Sequence, residues 1–371
     1  MAMEAAAPLP LVIAHRGASG YLPEHTLAAY ALAIEQGADF IEPDLVPTRD
    51  GFLVARHENE LSDSTDVAAH AEFAARRTTK LVDGIARSGW FSEDFSLEEI
   101  QRLRARERIP ALRPGNAAHD GLHGIPTLDE VVALALAAPR PVGIYPETKH
   151  PSYFAREGRR LDGAPIAIDT SARLVEALQR LGFVAPARVR IQSFEVGNLL
   201  ELSRRILPDA GLRLPLVQLL GDVEGDAGPW DLRDGPEALW ARWPGPRLPG
   251  LAPGGAVRWR ELVAPAALAW MRAAYASGIG PWKDNLLPRR DGRLHGAAAR
   301  FGLLARGLGL EVHPYTLRAE AAFAVADAAG RALSVEDEAL RLVEAGATGW
   351  FIDQPDRGVA ARARLPRAAE P

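Results

Sequence analysis

Ionisable residues gather in four short clusters: His15-Arg16, Glu42-Pro43-Asp44, His57 and Glu147-Thr148-Lys149. Each ends or follows a strand-like run. Side chains alternate along a strand, so Glu42 and Asp44 point to one side, as do Glu147 and Lys149. Three carboxylates and an ammonium aimed at one place predict either shifted protonation or a cation among them. Hard oxygen donors in a chain without cysteine favour calcium or magnesium over zinc. A lone Glu-x-Asp is usually a solvated edge, and it is the joint pattern that carries the metal reading. Lysine is scarce, with only Lys80, Lys149 and Lys283 in an arginine-dominated basic set. Genomic bias toward arginine explains the scarcity. Lys149 then reads either as a compact charge for a phosphate oxygen or as a plain ion pair with Glu147. His15 and His57, with an unperturbed pKa near ~6.5, are candidate acids or bases, although a lone histidine is more often structural.

The elements that must position these groups follow a rhythm of short apolar strand, loop and amphipathic helix. Strands are predicted at Leu11 to Gly17, Phe40 to Val46, Val142 to Lys149, Ala187 to Glu195, Leu212 to Leu220, Leu310 to Leu317 and Gly349 to Asp353, with an eighth near Ile279 to Asn285. Helices are predicted at Thr26 to Gln36, Leu128 to Ala138, Thr170 to Leu181 and Val196 to Ile206. Alternation of this kind gives parallel strands, and eight units close into an α/β barrel of the (β/α)8 TIM type, with a doubly wound sheet as the alternative. In a barrel, His15-Arg16, Glu42-Pro43-Asp44, Glu147-Thr148-Lys149 and Gln192-Ser193 sit at the C-terminal ends of the first four strands, where barrel active sites lie, and His57 follows the strand-like run Phe52 to Arg56. Pro43 lacks a backbone donor and fits best at a strand's end, which supports a site at the rim. Residues 61–125 and 221–255 break the rhythm and read as insertions. The first is a small cap segment, and the second is a Gly/Pro/Trp-rich loop for which a poorly ordered surface loop is the bland alternative. The whole reads as one domain over residues 8–360, ending in a last helix and a frayed tail.

The totals exclude several classes. With 371 residues, 47% hydrophobic and 25% charged, the chain has the balance of a globular protein. A net charge of −5 argues against nucleic acid as a partner. The absence of cysteine removes disulfides, thiolate metal sites and cysteine nucleophiles. No run of ~18 apolar residues predicts membrane insertion. No signal peptide is visible, which tips the expectation toward the cytoplasm, or toward the periplasm or secretion if a native leader was removed. Nothing in the sequence sets an oligomeric state.

The stretch from Ala14 through His15-Arg-Gly-Ala-Ser-Gly-Tyr-Leu-Pro-Glu-His-Thr26, then Glu42-Pro-Asp44, then Thr48 through His57, resembles the glycerophosphodiester phosphodiesterase family. Tyr145-Pro-Glu-Thr-Lys-His-Pro151, Ile191-Gln-Ser-Phe-Glu195, Val312-His-Pro-Tyr-Thr316 and Phe351-Ile-Asp-Gln-Pro355 resemble later blocks of the same family in the same order, across nearly the whole chain. The resemblance is to the longer form, with an insertion after the second strand that corresponds to residues 61–125 and caps the site.

The resemblance implies a barrel hydrolase, dependent on a divalent cation, that releases an alcohol from a small glycerophosphodiester and leaves sn-glycerol 3-phosphate. Residue by residue, it implies His15 and His57 as the acid–base pair, Glu42, Asp44 and Glu147 as metal ligands, and Arg16 and Lys149 as the grip on phosphate. One departure is His25, where the family usually has asparagine. Its effect is expected on hydrogen bonding near Glu24. Such chemistry needs cations to neutralise an anionic diester and two proton carriers, one for the attacking hydroxyl of water or of the glycerol 2-position and one for the leaving alkoxide. Attack is assigned to His15 and leaving-group protonation to His57. Glu24 is a candidate acceptor for Arg16 or His15, and Asp353 a candidate for orienting a histidine, each equally readable as a structural cap. Gln192, His313 and Tyr315 are expected to face the mouth. Trp230, Trp240, Trp243 and Trp282 are candidates for an apolar wall suited to choline-like head groups, against a reading as plain packing. Two alternatives stand beside this one: a phospholipase D-like enzyme of the same fold acting on lysophospholipids or sphingolipids, and a non-catalytic barrel that only binds a phosphorylated ligand.

Overall fold

A computed structural model describes residues 8–251 and 254–366. The eight barrel strands are β1 (Leu11–His15), β2 (Phe40–Glu42, resumed as Asp44–Pro47), β3 (Gly143–Ile144, resumed as Glu147–Thr148), β4 (Ile191–Ser193), β5 (Leu216–Leu220), β6 (Gly278–Pro281), β7 (Glu311–Val312) and β8 (Gly349–Ile352). Each is followed by a helix: α1 (Leu27–Glu35), α2 (Leu128–Ala137), α3 (Thr170–Arg180), α4 (Val196–Glu201), α5 (Pro265–Ala274), α6 (Arg300–Gly307), α7 (Val335–Glu344) and α8 (Pro355–Ala363). Neighbouring strands pair in parallel from β8 through β1 and round to β7. The ring closes where Thr348 donates to the Val312 carbonyl at 2.8 Å and Leu317 donates to the Phe351 carbonyl at 2.9 Å. The doubly wound alternative is thereby excluded.

Local sequence explains the helix starts. Thr26, Thr127, Asp169 and Ser334 each place a side-chain oxygen on a backbone N–H of the first turn, and Glu130 completes a capping box with Thr127. The predicted helices end within a residue of the observed ones, except that α4 passes into a π-helical turn at Leu202–Ile206. Strands differ more. Pro43 does not end β2. It breaks the strand into two paired segments, its own carbonyl accepting from Glu147 N–H at 3.0 Å, and the chain continues to Pro47 before turning back as Leu53–Ala55, antiparallel to it. The strand expected at Ile279 to Asn285 stops at Pro281, and residues Lys283–Leu286 are helical.

Ile13, Phe40, Tyr145, Val217 and Phe351 fill the barrel interior, with Tyr145 and Phe351 edge to face at 5.0 Å. This apolar plug is the floor on which the polar strand ends stand. A larger apolar layer packs the helices against the outside of the strands.

Residues 61–125 carry their own apolar core around Phe73, Trp90, Phe91 and Phe95, which continues into Tyr153 and Phe154 of the barrel. A hairpin, Thr78–Val82 with Ile85–Gly89, projects from it. Its turn residues Asp83 and Gly84 have φ of 45° and 77°, the left-handed pair that such a tight turn requires. The second insertion is more ordered than the surface-loop reading expects, with a 3-10 turn at Trp230–Leu232 and a helix at Glu237–Arg242. Residues 252 and 253, the first seven and the last five lie outside the described residues. Among the described residues no helix is long and apolar enough to cross a membrane.

Candidate active site

Strand register assembles the site. His15 lies opposite Glu42, Asp44 opposite Glu147, and Glu147 opposite Gln192, so four strand ends deliver one continuous polar row. Ligand oxygens of Glu42, Asp44 and Glu147 all fall within 4.8 Å of one another, and all three side chains are buried. The row borders a cavity of about 140 Å³ also lined by Arg16, His57, Tyr315 and Arg318.

The carboxylates have different environments. Glu42 accepts from the Arg16 amide at 2.8 Å and from Gln192 at 3.2 Å, yet burial and the neighbouring Asp44 hold its pKa well above the usual range. Burial, only partly offset by Lys149 at 3.0 Å, raises Glu147 to about 8. Asp44 goes the other way: burial opposes its ionisation, but Lys149, His25 and Arg16 outweigh that and hold it well below the usual range. With no cation, therefore, the trio keeps protons at neutral pH. Within the trio, the buried Asp44 Oδ1 has no hydrogen-bond partner among the described residues and is available to a cation.

Backbone geometry aims Arg16. Its φ of 58° is left-handed, and Gly17 follows at φ 86°, where an added Cβ would lie 2.7 Å from the Ala29 carbonyl carbon. This tight turn points the Arg16 amide at Glu42 and its guanidinium at Glu24 (3.0 Å) and Asp44 (3.3 Å). Glu24 thus serves Arg16 and not His15, and it is held by Arg108 as well, at 3.2 Å.

His15 places Nδ1 2.6 Å from Asp353, which also accepts from Arg113 and, at 2.9 Å, from Arg318. A carboxylate offers only acceptors, so Nδ1 carries the proton and Nε2 keeps its lone pair. Burial and the Arg16 charge lower the His15 pKa to about 4, against the pull of Asp353. Its Nε2 is therefore free to receive a proton.

His57 reaches over the mouth from the chain that follows Leu53–Ala55, about a third exposed, with Nδ1 3.2 Å from Glu58. Enclosure, then the charges of Arg16 and Lys149, lower its pKa to about 3. Glu58 also pairs with His150 at 3.2 Å, and His150 with Asp83 at 2.6 Å, a chain of four alternating groups.

His313 departs from expectation. It is fully buried below the mouth, with Nδ1 2.9 Å from Tyr145 Oη. Tyr315 lines the cavity, its hydroxyl donating to the Leu220 carbonyl at 3.0 Å. His25 acts more directly than foreseen: Nε2 lies 3.0 Å from Asp44 and Nδ1 2.7 Å from Tyr30. Of the four tryptophans proposed as a wall, Trp230 borders a groove beside the site, whereas Trp240 packs on Trp270 at 5.7 Å, Trp243 lines a separate groove, and Trp282 follows β6, its backbone N–H donating to the Leu220 carbonyl at 3.0 Å and its backbone bridging Tyr315. All three lysines have buried carboxylate partners, Lys80 with Glu93 at 2.9 Å and Lys283 with Glu338 at 2.7 Å, so ion pairing is what Lys149 shares with the others. Sequence reasoning missed Glu58, Arg108, Arg113, His150 and Arg318. Only the adjacency of Glu58 to His57 and of His150 to Lys149 signalled any of them.

Residues 15–239 match the profile of the Glycerophosphoryl diester phosphodiesterase family. The chain is 35% identical over 324 residues to the Arabidopsis thaliana glycerophosphodiester phosphodiesterase GDPD6, covering 85% of this chain and 76% of that one. It is 29% identical to a glycerophosphodiester phosphodiesterase of Haemophilus influenzae, covering 94% and 88%. In fold it resembles a crystal structure from Silicibacter pomeroyi (TM-score 0.61, 21% identity, 97% and 95% covered). It also resembles an Oleispira antarctica phosphodiesterase solved with the product sn-glycerol-3-phosphate (TM-score 0.55, 20% identity, 95% and 96% covered).

Proposed function

The chain belongs to the glycerophosphoryl diester phosphodiesterase family, and from that premise we propose that it hydrolyses small glycerophosphodiesters to sn-glycerol 3-phosphate and an alcohol. Glu42, Asp44 and Glu147 would hold a divalent cation, calcium or magnesium. The donor set fits: three carboxylates, hard oxygens only, with the buried Asp44 Oδ1 otherwise unpartnered. When bound, the cation would offset phosphate charge and that of the transition state.

The chain's own residues supply the rest. Arg16 and Lys149 are each held by carboxylates beside the cavity, which fixes two positive charges where a phosphate would rest. His15 Nε2 takes the proton of the attacking hydroxyl, while Asp353 holds Nδ1–H and stabilises the imidazolium that forms. His57 would donate to the departing alkoxide as the imidazolium, a form disfavoured in the empty site by Arg16 and Lys149 and favoured once an anionic diester offsets those two charges, with Glu58 restraining Nδ1. The insertion supports the site from above, since Arg113 fixes Asp353 and Arg108 fixes Glu24.

The observation that carries this reading is the register that sets the acidic trio beside a histidine with a pinned Nδ1. The test is release of glycerol 3-phosphate from glycerophosphocholine by metal-stripped protein, with calcium or magnesium restored. Release is expected only with metal and is expected to vanish in His15→Ala. Folded protein that releases nothing from any glycerophosphodiester with either metal would overturn the hydrolase reading in favour of a ligand-binding barrel.

A further inference from the structure

A groove of about 480 Å³ adjoins the catalytic cavity and shares Glu147 and Phe194 with it. The chain's two insertions build it. Ile85 comes from the hairpin tip of the first, and Pro229 and Trp230 come from the second, with Val257 and Trp259 just beyond it. Phe194, immediately after β4, is the partition, its ring edge-on to Trp259 at 5.8 Å on one side and to Tyr315 at 6.0 Å on the other. The hairpin tip is fastened over the groove by the Asp83–His150 pair and by contact with the second insertion, where a Cβ on Gly84 would come within 2.7 Å of the Trp230 ring. His150 borders the groove and is linked through Glu58 to His57, whereas His15, Asp353 and Arg318 do not border it. With His57 as the donor to the alkoxide, as proposed above, the groove lies on the side from which the alcohol leaves.

Its charged groups are already engaged. Asp83 pairs with His150, Lys149 with Glu147, Arg233 with Glu157, and Asp226 with Arg258 and Arg260; the remaining lining carboxylate, Glu195, has no cationic partner among the described residues but is buried and committed to Ser152, accepting from its amide at 3.1 Å and from its hydroxyl. The Arg233 guanidinium covers one face of Trp230 at 3.8 Å. An ammonium head group would meet no uncommitted carboxylate here, while an apolar body would meet aromatic and aliphatic walls. The ~30 Å³ share of one water implies room for more than a dozen such volumes, well beyond a two-carbon head group.

We propose that this groove receives the alcohol portion of the glycerophosphodiester and that it selects uncharged alcohols with a bulky apolar body over small cationic ones. The inference rests on the hydrolase reading and adds the leaving group to it. The test is a series of glycerophospho-n-alkanols, ethyl through hexyl, beside the choline and ethanolamine diesters, with kcat and KM measured on the calcium-loaded enzyme. Binding to metal-free protein is followed in parallel by tryptophan fluorescence. Along the alkyl series kcat/KM is expected to rise about 3- to 4-fold per methylene, mainly through KM, with parallel gains in binding. In Trp230→Ala and in Ile85→Ser that slope is expected to fall to less than half. The slope is read within each protein, so a general loss of activity cancels. Ile85 is 56% exposed, so its replacement does not threaten the fold. Cleavage of diesters with no dependence on chain length, a lower KM for the choline or ethanolamine diester than for hexyl, or a slope unchanged in both variants would overturn this proposal while leaving the hydrolase intact. Cleavage of no diester at all would overturn both.

Discussion

Asp353→Asn isolates the orientation of His15 from everything else in the site. The exchange keeps shape and removes one charge. Arg113 and Arg318 both donate to Asp353 Oδ2, so the carboxamide oxygen will turn to them and leave its NH2 facing His15 Nδ1. That nitrogen must then accept, which moves the ring proton to Nε2 and removes the lone pair that receives the substrate proton. Loss of a general base lowers kcat by about 10² to 10⁴, and the same exchange in the Ser-His-Asp triad costs about 10⁴. In barrier height this is about 3 to 5 kcal/mol. KM is expected to stay within threefold, because Arg16 and Lys149 are not in contact with Asp353. Calcium binding is expected to be unchanged for the same reason. The assay is steady-state release of glycerol 3-phosphate at saturating metal, with thermal melting alongside, since weakening a buried two-arginine pair also lowers stability. A folded variant that retains kcat within threefold of the parent would refute the assigned role of His15 Nε2.

Glu147 holds a proton up to a pH of about 8 without metal, so calcium binding at pH 7 is expected to release at least one proton. Affinity should then rise up to about tenfold per pH unit below 8. Calorimetry in buffers of different ionisation enthalpy reads this directly, and buffer-independent heats would contradict it. His150 is raised from 6.5 to about 9 because its bonds to Asp83 and Glu58 outweigh burial. The sign follows from the raised value: its stabilisation is full below pH 6.5 and is lost as pH climbs through 9. It is worth up to about 3 kcal/mol. The melting difference between the parent and His150→Asn should shrink over that window, and a constant difference would count against the pairing. Gly17→Ala combines a left-handed φ with a Cβ 2.7 Å from backbone. It is expected to lose about 2 kcal/mol or more of stability and to weaken metal binding by shifting the Arg16 amide off Glu42. Native-like melting and affinity would show that the turn tolerates a side chain.

The parts of the site that the sequence made legible are those borne by strand ends. Glu42, Asp44, Glu147 and Gln192 sit at two-residue spacings or adjoining register positions, and period two in an apolar run is enough to place them. The same short-range logic is coarser at Leu310 to Leu317, where the regular strand is only Glu311–Val312, pairing continues as isolated parallel bridges at Tyr315 and Leu317, and His313 is fully buried below the mouth. Groups that reach the site from afar left no such trace. Arg113 meets Asp353 across 240 positions and Arg108 meets Glu24 across 84, contacts set by how the inserted segment folds on its own core. One signal there was available and unread: Asp83-Gly84 between two β-rich runs is a strong hairpin mark, and that hairpin roofs the groove beside the site. The division has a physical cause. Ligands and proton carriers must be held to fractions of an ångström, which favours strand ends whose positions local pattern reveals. The residues that steady them, and those that shape the leaving-group groove, need only arrive by packing, and packing between distant segments is not written in any local spacing.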